Sequence, residues 1–138
     1  MSDLVRLSMS IERGLYDALQ KLVRKNRYTN RSEFIRDLIR QRLVEEQWQG
    51  GGQSLATVTI IYDHHTHGLT QKLIALQHRY TREIFVNLHL HVSEHRCAEV
   101  VVLGGRSTNL RTFVESVRRL KGVLHTAVSV SAAGSVLT

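Results

Sequence analysis

Three consecutive glycines, Gly50, Gly51 and Gly52, divide this 138-residue chain into two unequal parts. Glycine leaves the backbone free and a run of it favours a flexible joint, so we predict a linker over residues 49–55. The segment before it, residues 1–48, is too short to bury a sufficient core as a monomer. We therefore expect that segment to fold as an intertwined dimer and residues 56–138 to form a second domain.

The first segment has the pattern of one strand followed by two helices. Residues 5–11 alternate between an apolar and a polar face. The apolar positions are Val5, Leu7, Met9 and Ile11, and the polar positions are Arg6, Ser8 and Ser10. Apolar residues at helical spacing predict a helix that ends near Asn26 and a second helix that runs to about Glu46. Asn30 is expected to cap the second helix, with Glu33 reaching back in a capping box.

The second segment has the pattern strand, helix, strand, strand, helix, strand. Strands are predicted over residues 56–62, 84–92, 97–103 and 123–130, and helices over residues 69–77 and 110–117. Gly104 and Gly105 are expected to end the third of these strands. The βαββαβ order is that of the ferredoxin-like split unit. The predicted fold class is therefore α+β, a small β-α-α domain followed by a ferredoxin-like domain.

Four side chains of the second segment form a spaced set of possible metal ligands. They are His78, His89, His91 and Cys97, in the pattern H-x(10)-H-x-H-x(5)-C, and Cys97 is the only cysteine. Residues 84–92 alternate between two faces of a predicted strand. His89 and His91 share one face, and Ile84 lies on the other face with Val86, Leu88, Leu90 and Val92. A thiolate with imidazoles suits a borderline or soft transition metal rather than magnesium or calcium. The simpler alternative is two exposed strand histidines beside an ordinary buried cysteine.

The charge balance favours a polyanionic partner. The formal net charge is +7 at pH 7, and the polyanionic partner of a basic protein is most often nucleic acid, although many basic proteins bind nothing charged. No apolar run is long enough for a membrane span, and the N-terminus lacks the apolar core of a signal peptide. A lone cysteine suits a reducing compartment. We therefore expect a cytoplasmic protein.

The N-terminal pattern resembles the ribbon-helix-helix family of DNA-binding proteins. In that family two strands, one from each subunit, pair as a ribbon that enters the major groove. The resemblance implies base contacts from the outward-facing Arg6, Ser8 and Ser10. It also implies a grip on the DNA backbone at Asn30 and Arg31, which open the second helix. A half-buried edge strand is the structural alternative.

Both halves together resemble the nickel-responsive transcriptional regulators, whose regulatory domain is ACT-like and assembles four chains. The resemblance implies Ni(II), one per subunit, bound by His89, His91 and Cys97 with His78 of a neighbouring subunit. Glu99 matches a family acid near that site and is expected to hydrogen-bond a ligand or the adjoining loop; the alternative is an exposed strand carboxylate. The implied protein is not an enzyme. It is a homotetramer, a dimer of dimers, that represses nickel-uptake genes by binding palindromic half-sites of double-stranded DNA more tightly with nickel.

The same resemblance implies two minor sites. Acids matching Glu33 and Asp37, four apart on one helix face, help bind a second cation, a potassium ion between the domains. His64 matches a histidine in the loop after the first C-terminal strand and is a candidate for a weak metal site. His65 and His67 lie beside it and extend that possibility. The alternative for His65 and His67 is a pair of solvated loop histidines.

Other effectors and one other class of protein remain open. Zinc, copper or cobalt can replace nickel, because three imidazoles and a thiolate suit either tetrahedral or square-planar ions. A regulator that senses a small molecule through its ACT-like domain would bind DNA without regard to metal. A metalloenzyme is the third alternative, although no motif for a catalytic acid, base or nucleophile accompanies the ligands.

Overall fold

The computed structural model describes residues 3–132. Its elements are α1 (Arg13–Lys25), α2 (Arg31–Gly50), β1 (Gln53–Asp63), α3 (Leu69–His78), β2 (Ile84–His91), β3 (Arg96–Arg106), α4 (Ser107–Arg118) and β4 (Val123–Ala132). The α+β class and the βαββαβ order of the second segment are confirmed. Two compact units divide between Ile39 and Arg40, inside α2. Across the described range, none of the helices combines the length and the apolar character of a membrane span.

The first unit packs α1 against the beginning of α2. Its buried apolar side chains are Val23 and Phe34, and Tyr28 meets Phe34 edge-on with ring centroids 5.1 Å apart. Asn30 caps α2 as predicted, because the backbone N–H of Glu33 donates to Asn30 Oδ1 at 2.9 Å. The Glu33 carboxylate pairs with Arg36 instead of reaching back. The predicted capping box is therefore incomplete.

The strand predicted over residues 5–11 is not formed in the single chain. Residues 3–12 have no regular secondary structure, and Val5 and Leu7 are 88% and 82% exposed. A strand needs a neighbour for its backbone hydrogen bonds, and its apolar face needs a cover. Among residues 3–132 no segment pairs with it. The prediction of a strand is therefore wrong for the isolated chain, since a ribbon requires a second one.

The second unit is a four-stranded antiparallel sheet with α3 and α4 on one face. The strand order is β2-β3-β1-β4, so β1 and β3 are central and β2 is an edge strand. Alternate residues of β1 face the helices and are buried. The core between sheet and helices includes Val58, Ile60, Leu73, Val101 and Phe113.

A bulge in β2 moves Ile84 to the helix-covered face. Ile84 lies opposite Leu103 whereas Val86 lies opposite Val102, so Phe85 is an extra residue on this strand. Ile84 packs against the core, and Val86 is 45% exposed. The prediction that Ile84 shares a face with the apolar residues that follow is therefore wrong. The rest of the strand keeps the predicted alternation.

Strand β3 runs past the glycines that were predicted to end it and finishes at Arg106. Gly104 and Gly105 continue the pairing with β1. The ring of Phe85 lies against Gly104, where an added Cβ would be 2.5 Å from a ring carbon. Gly104 therefore permits the close approach of a side chain and does not mark a turn.

The triglycine tract ends helix α2 in an ordered turn. The helix continues to Gly50, Gly51 has a φ of 82°, and the N–H of Gly52 donates to the Gln47 carbonyl at 3.0 Å. This is a Schellman motif. Ser107, at the start of α4, binds the same turn, since its N–H donates to the Gly52 carbonyl at 2.9 Å and its buried hydroxyl to the Gln47 carbonyl at 3.2 Å. The tract is thus tied to the second unit, which differs from the free joint we predicted.

Candidate metal centre

The β2–β3 hairpin brings three of the four predicted ligands together. One ligand atom from each of His89, His91 and Cys97 lies within 4.8 Å of the others, and we call these residues the hairpin cluster. His91 is directly opposite Cys97 in the pairing of β2 with β3. His89 is opposite Glu99, two residues further along, and so these two pairs lie on the same face of the sheet. Side chains on one face of paired strands are neighbours. The register of the hairpin is therefore what assembles the cluster.

The donor atoms of the hairpin cluster fit a transition metal. The Cys97 sulfur is 3.6 Å from His91 Nδ1. Bonds of about 2.0–2.3 Å to imidazole nitrogen and thiolate sulfur place neighbouring donors roughly 3–3.5 Å apart, close to that distance. Cys97 is 2% exposed, whereas both histidines are exposed. The cluster thus has one buried soft donor and an open side where a fourth ligand can approach.

Polar side chains surround His89. Its Nδ1 is 3.3 Å from the Tyr62 hydroxyl and 3.8 Å from Glu99 Oε1. Glu99 is buried and accepts a hydrogen bond from Gln77 Nε2 at 2.5 Å. Burial and then the nearby Glu99 and Cys97 raise the pKa of Tyr62 to about 12, so this phenol keeps its proton at neutral pH. Glu99 thus lies beside a candidate ligand, but its hydrogen bond is to Gln77 and its distance to His89 is too long for one.

Tyr62 and Gln77 are two site residues that the sequence does not indicate. Tyr62 lies opposite Cys97 in the pairing of β1 with β3, and Gln77 lies in the last turn of α3. Neither belongs to a spaced motif. Only the register of β1 and the packing of α3 bring them to the cluster, and neither can be obtained from local periodicity.

His78 lies outside the hairpin cluster. It is the last residue of α3, and the group of close donors found among the described residues does not include it. Its side chain helps line a surface cavity of about 240 Å³ together with Ile74, Gln77 and Ile84. The single chain thus brings three predicted ligands together and leaves the fourth apart.

The predicted DNA contacts lie in the first unit. Arg6, Ser8 and Ser10 are in the exposed segment before α1. Asn30 and Arg31 are at the start of α2, as predicted, but the Asn30 side-chain oxygen is already occupied by the cap. The Arg31 guanidinium donates to the Tyr16 hydroxyl at 3.2 Å and lies 5.5 Å from the centre of its ring.

The acids proposed for a second cation have partners within the first unit. Glu33 pairs with Arg36, and Asp37 accepts a hydrogen bond from the Tyr28 hydroxyl at 2.6 Å. That hydrogen bond, with burial and the negative charge of Asp37, raises the pKa of Tyr28. A cation between these two carboxylates would have to compete with both partners.

Comparison with known proteins identifies the family of this chain. Residues 55–131 match the model of the NikR C-terminal nickel-binding domain, and residues 5–46 match that of ribbon-helix-helix proteins of the copG family. The chain is 39% identical over 136 residues to a protein of Solibacter usitatus, with 98% of each chain covered.

A protein of Pyrococcus furiosus is 41% identical over 123 residues, covering 88% of this chain and 89% of the other. Both relatives bear the name "Putative nickel-responsive regulator". Among solved structures, the ACT domain of a GTP pyrophosphokinase from Chlorobium tepidum covers 54% of this chain at 14% identity, with a TM-score of 0.48. By the two family models and these full-length relatives, the chain belongs to the family of nickel-responsive transcriptional regulators.

Proposed function

We propose that this protein is a cytoplasmic, nickel-dependent DNA-binding repressor of nickel-uptake genes. The observation that carries the proposal is the hairpin cluster, which lies within the residues that match a nickel-binding domain. When bound, Ni(II) acts as a Lewis acid that would hold the thiolate and the imidazoles in one orientation. Cys97, buried at the base of the cluster, provides the soft donor, and Tyr62 and Glu99 orient the imidazole of His89.

The proposed fourth ligand is His78 of a neighbouring subunit, with one nickel ion per subunit in a homotetramer. Two features support it: His78 lies apart from the cluster of its own chain, and β2 exposes apolar side chains on the face opposite to that of His89 and His91. Val86, Leu88 and Leu90 are each about half exposed, at 45%, 53% and 49%. Such a surface favours association. A site shared between subunits would link metal binding to assembly.

The proposed DNA-binding domain is residues 1–48, and residues 56–138 form the metal-binding and tetramerisation domain. In a dimer, the apolar positions of residues 5–11 would be covered, and the segment would gain a strand partner. Arg6, Ser8 and Ser10 would then face the major groove, and Asn30 and Arg31 the DNA backbone. Two such dimers in one tetramer suit palindromic half-sites. Nickel would raise operator affinity by a coupling free energy, and DNA would tighten nickel binding equally.

We also propose a second cation at Glu33 and Asp37. The two carboxylates are one helical turn apart, which suits a shared ion such as potassium. Occupancy would release Glu33 from Arg36 and Asp37 from Tyr28. Exchange of potassium for a large organic cation should then change DNA affinity at constant ionic strength.

Fluorescence anisotropy with a DNA fragment from a nickel-transporter promoter tests the proposed function. DNA binding should tighten on addition of stoichiometric nickel at fixed salt, and Cys97→Ala should remove the gain while leaving the fold intact. His67→Asn, an exposed histidine in another loop, is the matched control and should keep the gain. A gain in DNA affinity with zinc or copper but not with nickel would identify that metal as the effector. No metal effect at all would contradict the proposal and favour a small-molecule sensor.

A further inference from the structure

Tyr16, in the first turn of α1, contacts a side chain that we expect to bind the DNA backbone. Its hydroxyl accepts a hydrogen bond from Arg31 Nη1 at 3.2 Å, although the two residues are 15 positions apart in sequence. The central carbon of the Arg31 guanidinium lies over the Tyr16 ring, 5.5 Å from its centre. Both residues belong to the first unit. None of the DNA contacts expected from the sequence includes Tyr16.

The contact with Tyr16 holds the Arg31 guanidinium without neutralising its charge. A phenol hydroxyl and an aromatic face both attract a cation while adding no negative charge. Arg36 and Arg42, in the same helix, are paired instead with glutamates. Within residues 3–132, Arg31 forms no such ion pair. Its guanidinium has several N–H donors and the bond to Tyr16 uses one of them, so the others can bind a phosphate group.

The Tyr16 hydroxyl has a proton to offer to an external acceptor. Its oxygen accepts a second hydrogen bond, from Gln20 Nε2 at 3.2 Å. Amide and guanidinium nitrogens can only donate, so the oxygen is the acceptor in both bonds and its own O–H is left over. Tyr16 is half-buried and Arg31 is exposed. The phenol proton and the guanidinium therefore lie side by side at the surface, where one anion with several oxygens can accept from both.

We propose that Tyr16 is a further contact to the DNA backbone: its hydroxyl donates to the phosphate that Arg31 binds, and its ring fixes the guanidinium. The proposal rests on the proposed function, because it requires that the first unit bind DNA. Tyrosine hydroxyls are among the usual donors to phosphate in protein–DNA complexes. Such a contact carries no sequence information, so it strengthens binding to every duplex to the same extent.

Fluorescence anisotropy of the full-length, nickel-loaded protein over a range of salt concentrations tests this contact. The probes are the promoter fragment and a scrambled duplex of equal length. Tyr16→Phe keeps the ring and removes the proton, and it should weaken binding to both duplexes by about tenfold. The slope of log affinity against log salt should not change, because no charge is lost, whereas Arg31→Ala should reduce that slope by about 1. Tyr80→Phe, whose ring packs against Phe113 in the second unit, is the matched control and should bind as the native protein does.

A double-mutant cycle separates a phosphate contact from a merely structural role of Tyr16. Without Arg31 the phosphate is not held beside the hydroxyl, so Tyr16→Phe should then cost about twofold or less. Nickel affinity should be unchanged in all variants.

Three results would overturn the role of Tyr16. They are native affinity in Tyr16→Phe, an undiminished loss in the Arg31→Ala background, and a loss for the promoter fragment alone. Absence of a nickel-dependent gain in the native protein would overturn only the proposed function, since the contact is measured on any duplex. Absence of all DNA binding by the native protein would overturn both.

Discussion

Neighbouring glycines in the triglycine tract should respond in opposite directions to the same substitution. Gly50 is the last residue of α2, and an added Cβ there meets no atom within 4 Å. Gly51 has a φ of 82°, and its Cβ would lie 3.3 Å from the Thr108 side chain. Gly50→Ala should therefore stabilise the protein, and Gly51→Ala should destabilise it.

The magnitudes follow from the two backbone conformations. Alanine at a compatible position reduces the freedom of the unfolded chain, which should raise the free energy of unfolding of Gly50→Ala by about 0.4–1 kcal/mol. A left-handed conformation at a residue with a Cβ costs about 1–2 kcal/mol. The free energy of unfolding of Gly51→Ala should therefore fall by this amount. The two variants should thus differ by about 2 kcal/mol. A flexible linker predicts almost no effect of either, because such a segment has the same freedom before and after unfolding.

Urea unfolding of the metal-free protein, at one protein concentration, measures this difference. Trp48 is the only tryptophan and packs against the core of the second unit, so its fluorescence reports on the end of α2. With a slope of about 1–3 kcal/mol per molar urea, a difference of about 2 kcal/mol separates the midpoints by roughly 1 M. If the urea midpoints of both variants coincide with that of the native protein, the Schellman turn is refuted and the tract is a flexible linker.

Two further predictions concern the sheet and the site. The raised pKa of Tyr62 means that the folded chain retains a proton that the unfolded chain releases near pH 10, so stability should fall as the pH rises from about 10 to about 12. Urea midpoints across this range should show a smaller fall for Tyr62→Phe than for the native protein, and equal falls would contradict the assignment. Gly104→Ala should lower the melting temperature, since its Cβ would lie 2.5 Å from the Phe85 ring. Phe85→Ala should lessen that loss in the double variant, and strictly additive losses would exclude the contact.

Much of the candidate site could be predicted because its determinants are local. His89 and His91 are two residues apart in a strand, and a strand places such residues on one face. Cys97 follows across a short turn, which leaves few registers for the hairpin. Asn30 caps α2 through a bond that spans only three residues. In each case the backbone geometry of one short segment is sufficient.

Other features required the tertiary structure, because they depend on which distant segments meet. The triglycine tract has the composition of a linker, yet the second unit holds it as a helix end through Ser107. The bulge at Phe85 and the close approach of its ring to Gly104 both arise from the pairing of β2 with β3. The approach of His65 to His95 joins two loops that share no motif.

By itself, the sequence determined the α+β class, the order of the elements from α1 to β4 and the grouping of His89, His91 and Cys97. Those features follow from periodicities of 2.0 and 3.6 residues, which are properties of the backbone alone. The tertiary structure decided where α2 ends, which face Ile84 occupies and which side chains surround His89. These depend on strand register and on packing between segments far apart in the chain. The segment 5–11 shows the same rule, since its pattern is that of a strand but no segment among residues 3–132 pairs with it.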